Sequence, residues 1–363
     1  MASPVGGGAG GGAGGGAGGG AGGGAGGGAG GGAGLGSVSV MDGFANPLLV
    51  EALGRSREGL VSAIYDGAGP ATLPKIDATP VLRWEPWVRQ SVLLSALQEG
   101  FRYAVPTRET ETYELCWNGS RLLALQRPSA ECFANQVAGV LSLAVLRDDR
   151  APEILSQIDG QWAFWGSLLP FRLSQAPTVV ELMELTIQLC VAVEMRFKHA
   201  MACPRPHTYS SAVRPMITTP GHGTFPMGHA TQVEAVRVVL LVLLKEAGLA
   251  NARWGTLERD SEHLCHRISE NRVVAGVHFE VDELGGLYLG RMLGAWLLAR
   301  TAGTDVGTGS VPTFTAEAVA NLPSARGRAV SDAQAWPKIE PLALMKPVWD
   351  KATNELKLLL AQG

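Results

Sequence analysis

The sequence predicts an all-α fold, a helical bundle with one small β-hairpin, on three grounds. Beyond Pro128, long segments keep apolar residues at helical spacing and stop at Gly or Pro. Only one stretch, Thr112 to Leu125, reads as paired strands, two apolar-rich runs flanking Asn118-Gly119. The composition, 46% hydrophobic and 17% charged, suffices for a substantial core. Antiparallel helices joined by loops then make a bundle.

The elements follow in order. Of the 363 residues, the first 36 hold 23 of the 48 glycines, in Gly-Gly-Gly-Ala repeats. Residues 1–36 are therefore expected to be a disordered low-complexity linker, with nothing to bury. Residues 37–128 are expected to pack on the core through two amphipathic helices, Asn46 to Tyr65 and Val88 to Ala104, and the hairpin. Residues 129–300 are expected to form the bundle core. There, Cys132 to Leu146 has few breakers, and Pro177-Thr178 with Glu181 reads as a capping box opening a helix to about Lys198. Pro204 and Pro206 stop that helix, and another runs from Gly228 to Gly248 with Lys245 in its last turn. Two more follow, Leu257 to Ala275 and Val281 to Leu298. Residues 301–363 read as a Pro/Gly/Ser-rich loop and a helix from Leu342 to Leu360.

Composition also excludes. The formal charge of −3 gives no basic field for nucleic acid. The longest apolar run, Val238 to Leu244, is far short of a bilayer span, and Arg291 breaks the next candidate, Leu284 to Leu298. The N-terminus lacks the basic and apolar regions of a secretory signal. Five cysteines without a CxxC spacing read as free thiols in a reducing compartment. A soluble, cytoplasmic protein without membrane or nucleic-acid partners is expected; the sequence leaves homo-oligomerisation open.

Residues 191–230 reverse the charge of this acidic chain. They hold His199, His207, His222 and His229, with Arg196, Lys198, Arg205 and Arg214 against the single acid Glu194. A solvated positive face and an anion site both account for that window taken alone. Other spacings extend it. Six residues separate Lys198 from Arg205-Pro206; Pro226-Met227-Gly228-His229 opens an apolar helix; Asn271-Arg272 is followed by His278 and, four residues on, Asp282.

In order and spacing these segments resemble the three-part signature K-x6-RP, PSGH and SR-x5-H-x3-D of the vanadium haloperoxidase / type 2 phosphatidic acid phosphatase (PAP2) superfamily. The loop from Pro220 to Thr231 looks like that of soluble bacterial members. The resemblance covers about a quarter of the chain, Lys198 to Asp282. It implies that Lys198, Arg205, Arg272 and the Gly228 N–H hold vanadate, or phosphate in the same site. It further implies that His278 is the axial vanadium ligand or the phosphorus nucleophile, and that His229 is the acid/base. Asp282 orients an imidazole or is simply an acid in the first turn of its helix. His222, seven residues before His229, resembles a second histidine of algal bromoperoxidases and tunes peroxide or halide reactivity, or is a polar loop residue. The physics agrees: arginine forks and a lysine point charge suit a multi-oxygen anion. A helix N-terminus with Gly at its first position supplies N–H groups.

Two positions depart from the signature. Met227 stands where the family has serine and cannot donate to an oxygen; Thr224 is the nearest hydroxyl that could. Asn271 replaces the other serine. His263 and His266 read as a solvated helix face rather than a metal pair, and His199 and His207 as outer residues.

The sequence thus favours a vanadate-dependent haloperoxidase-like oxidoreductase that uses hydrogen peroxide and halide. A PAP2-type soluble phosphatase acting on a phosphomonoester through a phosphohistidine is the alternative. An inactive oxyanion-binding homologue, silenced by Met227, is the third.

Overall fold

In the computed structural model, the described residues are 47–60, 80–104, 111–158, 161–302, 313–315 and 339–361. The expected linker, residues 1–36, lies outside them, as does the end of the first expected helix beyond residue 60. Helices α1 (Pro47–Leu60) and α2 (Pro86–Gln98) precede strands β1 (Phe101–Ala104), β2 (Thr112–Trp117) and β3 (Ser120–Gln126). Helices α3 (Ala130–Leu143), α4 (Arg147–Ser156) and α5 (Trp162–Leu168) lead to the long α6 (Pro177–Met201) and the one-turn α7 (Pro206–Tyr209). The bundle continues with α8 (Gly228–Glu246), α9 (Asn251–Val274) and α10 (Glu280–Ala302). Strand β4 (Thr313–Phe314) and helix α11 (Lys346–Leu360) complete the order.

The protein is predominantly helical as expected, but its sheet exceeds one hairpin. Four strands lie in the order β1-β2-β3-β4. The β2–β3 turn is the expected one, with Asn118 and Gly119 both at positive φ, 48° and 84°. The expected helix Val88 to Ala104 is divided: α2 stops at Gln98, Gly100 turns at φ 85°, and Phe101–Ala104 pairs antiparallel with β2. Helical spacing does not register the partner that Cys116 and Trp117 offer this segment across the ladder. Strand β4 joins parallel to β3 from nearly two hundred residues away, which no local pattern reveals.

The expected capping box at the start of α6 does not form either. Ala176 is the N-cap and makes no side-chain bond. Instead the Thr178 N–H and hydroxyl both donate to Glu355 of α11. Glu181 takes Arg89 of α2 in a buried two-pronged ion pair, 2.7 and 2.6 Å. Long-range partners outcompete the local box because both acceptors are ionised.

Helix α8 is the hub, packed on α6, α9 and α10. Its approach to α10 depends on a stripe of glycines at helical spacing. A Cβ on Gly286 would stand 2.5 Å from the Met227 carbonyl, one on Gly290 would strike the Thr231 carbonyl, and one on Gly294 would stand 2.9 Å from Val238 Cβ. The stripe brings the His278–Asp282 end of α10 against the start of α8. One apolar cluster runs from Val81 to Leu356 through α6, α8, α9 and α10, and a smaller one joins Ile154 of α4 to Val274, Ala275 and Val277. Among the described residues no helix is long and apolar enough to cross a membrane.

Substituting Gly290→Ala should therefore lower stability by about 1–3 kcal/mol, the usual cost of overpacking. Gly139→Ala on the exposed face of α3, where the added Cβ meets open space, should raise stability by up to about 1 kcal/mol. Urea unfolding of the two variants should move in opposite directions. A gain of stability in Gly290→Ala as well would show that α8 and α10 are not in close contact.

Candidate functional site

Each segment of the motif ends on a rigid element, and together they bring their side chains to one buried place. Lys198 lies in the last turn of α6. The helix closes just beyond it with Ala202 in the left-handed region, its N–H on the Lys198 carbonyl. The loop before α8 lies over this end, so closely that a Cβ on Gly223 would be 2.8 Å from the Lys198 carbonyl. Lys198 Nζ then donates to the carbonyls of Gly223, 3.3 Å, and Thr224, 3.1 Å. Arg205 precedes α7 and reaches across to two segments, the loop before α8 and the turn before α10. Its Nε donates to the His222 carbonyl at 3.1 Å, Nη1 to the Val277 carbonyl at 2.7 Å, and Nη1 also to His278 Nε2 at 3.0 Å. Arg272, in the last turn of α9, donates from Nη2 to the Ile154 carbonyl at 2.9 Å and Gln157 Oε1 at 3.2 Å. Its Nε and Nη1 are buried without a partner among the described residues. The three cations are 1%, 4% and 0% exposed.

The imidazoles differ in how they are held. His278 Nδ1 lies 3.1 Å from Asp282 Oδ2 and 3.2 Å from Thr224 Oγ1. Thr224 gives its hydroxyl proton to the same Asp282 oxygen, which also accepts the Phe279 N–H at 2.8 Å. The only consistent assignment puts the His278 proton on Nδ1, shared by two oxygens, and leaves the Nε2 lone pair toward Arg205. Rings of Phe133 and Tyr209 pack on Phe279, 5.0 and 5.6 Å between centroids, and fix the turn that carries His278. His229 Nε2 lies 3.0 Å from the Gln157 carbonyl, so that nitrogen is the donor. His229 Nδ1 is bare and buried, without a partner among the described residues.

The N-terminus of α8 lies next to them. Met227 is its N-cap and supplies no side-chain bond. The first intrahelical acceptor is used by Thr231, leaving the first-turn N–H groups, including that of Gly228, for a ligand. The Met227 side chain is fully buried, and its N–H goes to the Asp282 carbonyl at 2.9 Å.

Burial governs the electrostatics. Desolvation, then Arg205 and Lys198, hold His278 well below its ordinary pKa, so it is a neutral base. Desolvation and Arg272 push His229 down to about 3. His222, half-buried, falls to about 4 through desolvation, Lys198 and Arg205. Asp282 rises to about 6 because burial outweighs the Phe279 and Thr224 bonds. Burial and Arg205 lower Lys198, while burial raises Glu194, whose Oε1 accepts from Gln232.

The structure therefore gathers Lys198, Arg205, Gly228, His229, Arg272, His278 and Asp282, with His222 at the rim on Arg205 Nη2, 3.2 Å. Several expectations change. Thr224 is engaged by Asp282 and His278 and does not replace the family serine as an anion donor. Asn271 turns its amide nitrogen to Glu153 and Gln157. The partner of His229 is a main-chain carbonyl, that of Gln157. His229, the acid/base that the resemblance implies, is neutral in the protein alone. His199, His207, His263 and Arg214 are exposed. His266 pairs with Glu283 at 3.0 Å, and no group of three metal-ligating residues occurs among the described residues. All five cysteines are free thiols, as expected. Sequence reasoning missed Gln157, which carries no motif and follows a helix, α4, that was not anticipated.

The sign of the pH effect follows from His229. Its pKa is about 3 folded and near 6.5 when unfolded, so the unfolded chain takes the proton first. Its contribution is complete above pH 6.5 and is lost as pH falls toward 3. Asp282 and Glu194 shift the opposite way, so the diagnostic is a difference. Between pH 6.5 and 4, the Tm of the wild type should fall more steeply than that of His229→Gln. Parallel curves would mean that the imidazole is not held neutral.

No protein-family model matches the chain, and no curated protein matches it. Among solved structures, it is similar to the first transmembrane PAP2-type phosphatidylglycerolphosphate phosphatase from Bacillus subtilis. That likeness has a TM-score of 0.28 and 20% identity, and covers 44% of this chain and 72% of the other. At that TM-score the likeness does not bear on function.

Proposed function

We propose that the chain is a phosphohydrolase that passes the phosphoryl group of a phosphomonoester to His278 and then to water. The observation that carries this reading is the His278 ring, anchored through Nδ1 on Asp282, with its Nε2 lone pair turned to Arg205 within a buried cluster of three cations. A carboxylate behind Nδ1 raises electron density at Nε2, and burial keeps the ring unprotonated; both serve a nucleophile.

The reaction has two steps. The phosphoryl oxygens take the unpartnered Arg272 N–H groups, Arg205, Lys198 and the first-turn N–H groups of α8. Burial and the positive field both depress His229; the doubly charged ester offsets the field and so favours a proton on Nδ1. Nε2 of His278 forms the P–N bond as the P–O bond to the alcohol breaks, and His229 Nδ1 gives its proton to the departing oxygen. Water then attacks phosphorus, loses a proton to His229 Nδ1, and breaks the P–N bond to release phosphate.

Vanadate would suit the same donors and would be held by His278, Lys198, Arg205, Arg272 and the Gly228 N–H. Bound there, it would supply peroxide activation for halide oxidation, the second reading, which His222 against Arg205 favours. Two buried sulfur groups weigh against it. The Met227 side chain is buried at the start of α8, and Cys203, whose carbonyl accepts the Thr224 N–H, is a buried free thiol. Hypohalous acid would oxidise thioether and thiol alike.

Metal-free hydrolysis of p-nitrophenyl phosphate and of an alkyl phosphate, both inhibited by vanadate, is the expected result. His278→Ala should abolish both activities. His229→Ala should cost about 10²–10⁴-fold on the alkyl ester and far less on the nitrophenyl ester, whose leaving group needs little protonation. Vanadate-dependent bromination of a phenol without phosphate release would replace this reading with the second. Anion binding without either activity would overturn both.

A further inference from the structure

Gln157 touches the anion site through two different groups. It caps the C-terminus of α4 and is fully buried. Its main-chain carbonyl accepts His229 Nε2 at 3.0 Å, and its side-chain Oε1 accepts Arg272 Nη2 at 3.2 Å. The same Oε1 also accepts Asn271 Nδ2 at 3.0 Å, and Asn271 is braced by Glu153 one turn earlier. The Gln157 amide nitrogen is buried without a partner among the described residues.

The consequences differ for the two site residues. A carbonyl only accepts, so the proton of neutral His229 is fixed on Nε2, and Nδ1 becomes the sole ring position open to exchange. Arg272 Nη2 is clamped between the Ile154 carbonyl and Gln157 Oε1, both from the end of α4. With one nitrogen held, the guanidinium plane is set, and the unpartnered Nε and Nη1 face whatever the site binds. The acid and the cation come from α8 and α9, yet one residue of a third helix holds them both.

We infer that Gln157 is a positioning residue of the anion site: its main chain sets the His229 tautomer and its side chain sets the plane of Arg272. The identity of the anion rests on the phosphohydrolase reading; the binding test does not.

Two substitutions separate orientation from packing. Gln157→Met keeps the volume and removes Oε1, whereas Gln157→Ala removes both. Affinity for inorganic phosphate and for vanadate is measured by calorimetry, alongside Tm and turnover of the two esters. Both variants should lose about ten- to hundredfold in affinity, and by similar factors, although Gln157→Ala lowers Tm more. The ratio of alkyl to nitrophenyl turnover at saturation should stay at the wild-type value, because the main-chain bond to His229 survives. Wild-type affinity in Gln157→Met, or affinity that follows Tm, would overturn the inference. If Gln157→Ala does not fold, the comparison of Gln157→Met with wild type decides alone. A wild type that binds both anions but cleaves no ester would sink the phosphohydrolase reading and leave the binding series to decide the role of Gln157. A wild type that binds neither anion overturns both.

Discussion

Three cations withdrawn from water within one cluster are the constraint that shapes the rest of this molecule. Desolvating an ammonium and two guanidinium groups is costly, and their mutual repulsion adds to the cost. The fold offsets this with main-chain carbonyls: Gly223 and Thr224 for Lys198, His222 and Val277 for Arg205, Ile154 for Arg272. These acceptors are partial charges and do not neutralise the cluster. Asp282 supplies one full negative charge, already engaged by Thr224, Phe279 and His278. The site therefore retains positive potential and unpartnered donors, and an oxyanion answers both.

Burial, reinforced by that same field, sets the protonation states of the two histidines. His278 and His229 are neutral first because burial strips a charged ring of its solvation, and second because a further positive charge beside Lys198, Arg205 and Arg272 is unfavourable. In the proposed phosphohydrolase, neutrality would leave the His278 lone pair free to act as a nucleophile. For His229 it would be a condition that substrate must reverse, and a dianion would contribute by offsetting the local field. Substrate binding and loading of the acid would then be one event, and the buried positive cluster would discriminate against neutral ligands.

Packing gives the cluster its precision. The glycine stripe Gly286, Gly290 and Gly294 brings α10 against α8 until backbone meets backbone. The Met227 N–H on the Asp282 carbonyl then ties the first turns of both helices together. Displacing α10 would carry His278 and Asp282 away from His229 and the α8 N-terminus together. Met227, which looked from sequence like a missing hydrogen-bond donor, is in the structure a buried apolar N-cap residue.

The sequence by itself determined the helical class, the hairpin at Asn118-Gly119 and the identity of the cationic and imidazole groups. Those features reside in local periodicity and in the fixed spacings Lys198 to Arg205 and Arg272 to His278 to Asp282. Phe101–Ala104 as a strand, the arrival of β4, and the choice of Arg89 by Glu181 were illegible, because each depends on a partner remote in the chain. The same holds within the site. Which ring takes the carboxylate, which takes a carbonyl, and where the Thr224 hydroxyl goes are outcomes of three-dimensional competition among acceptors. Asp282 reaches His278 because they lie one helical turn apart, a local fact. Gln157 reaches His229 and Arg272 only because α4 packs beneath α9, and no spacing in the chain encodes that contact.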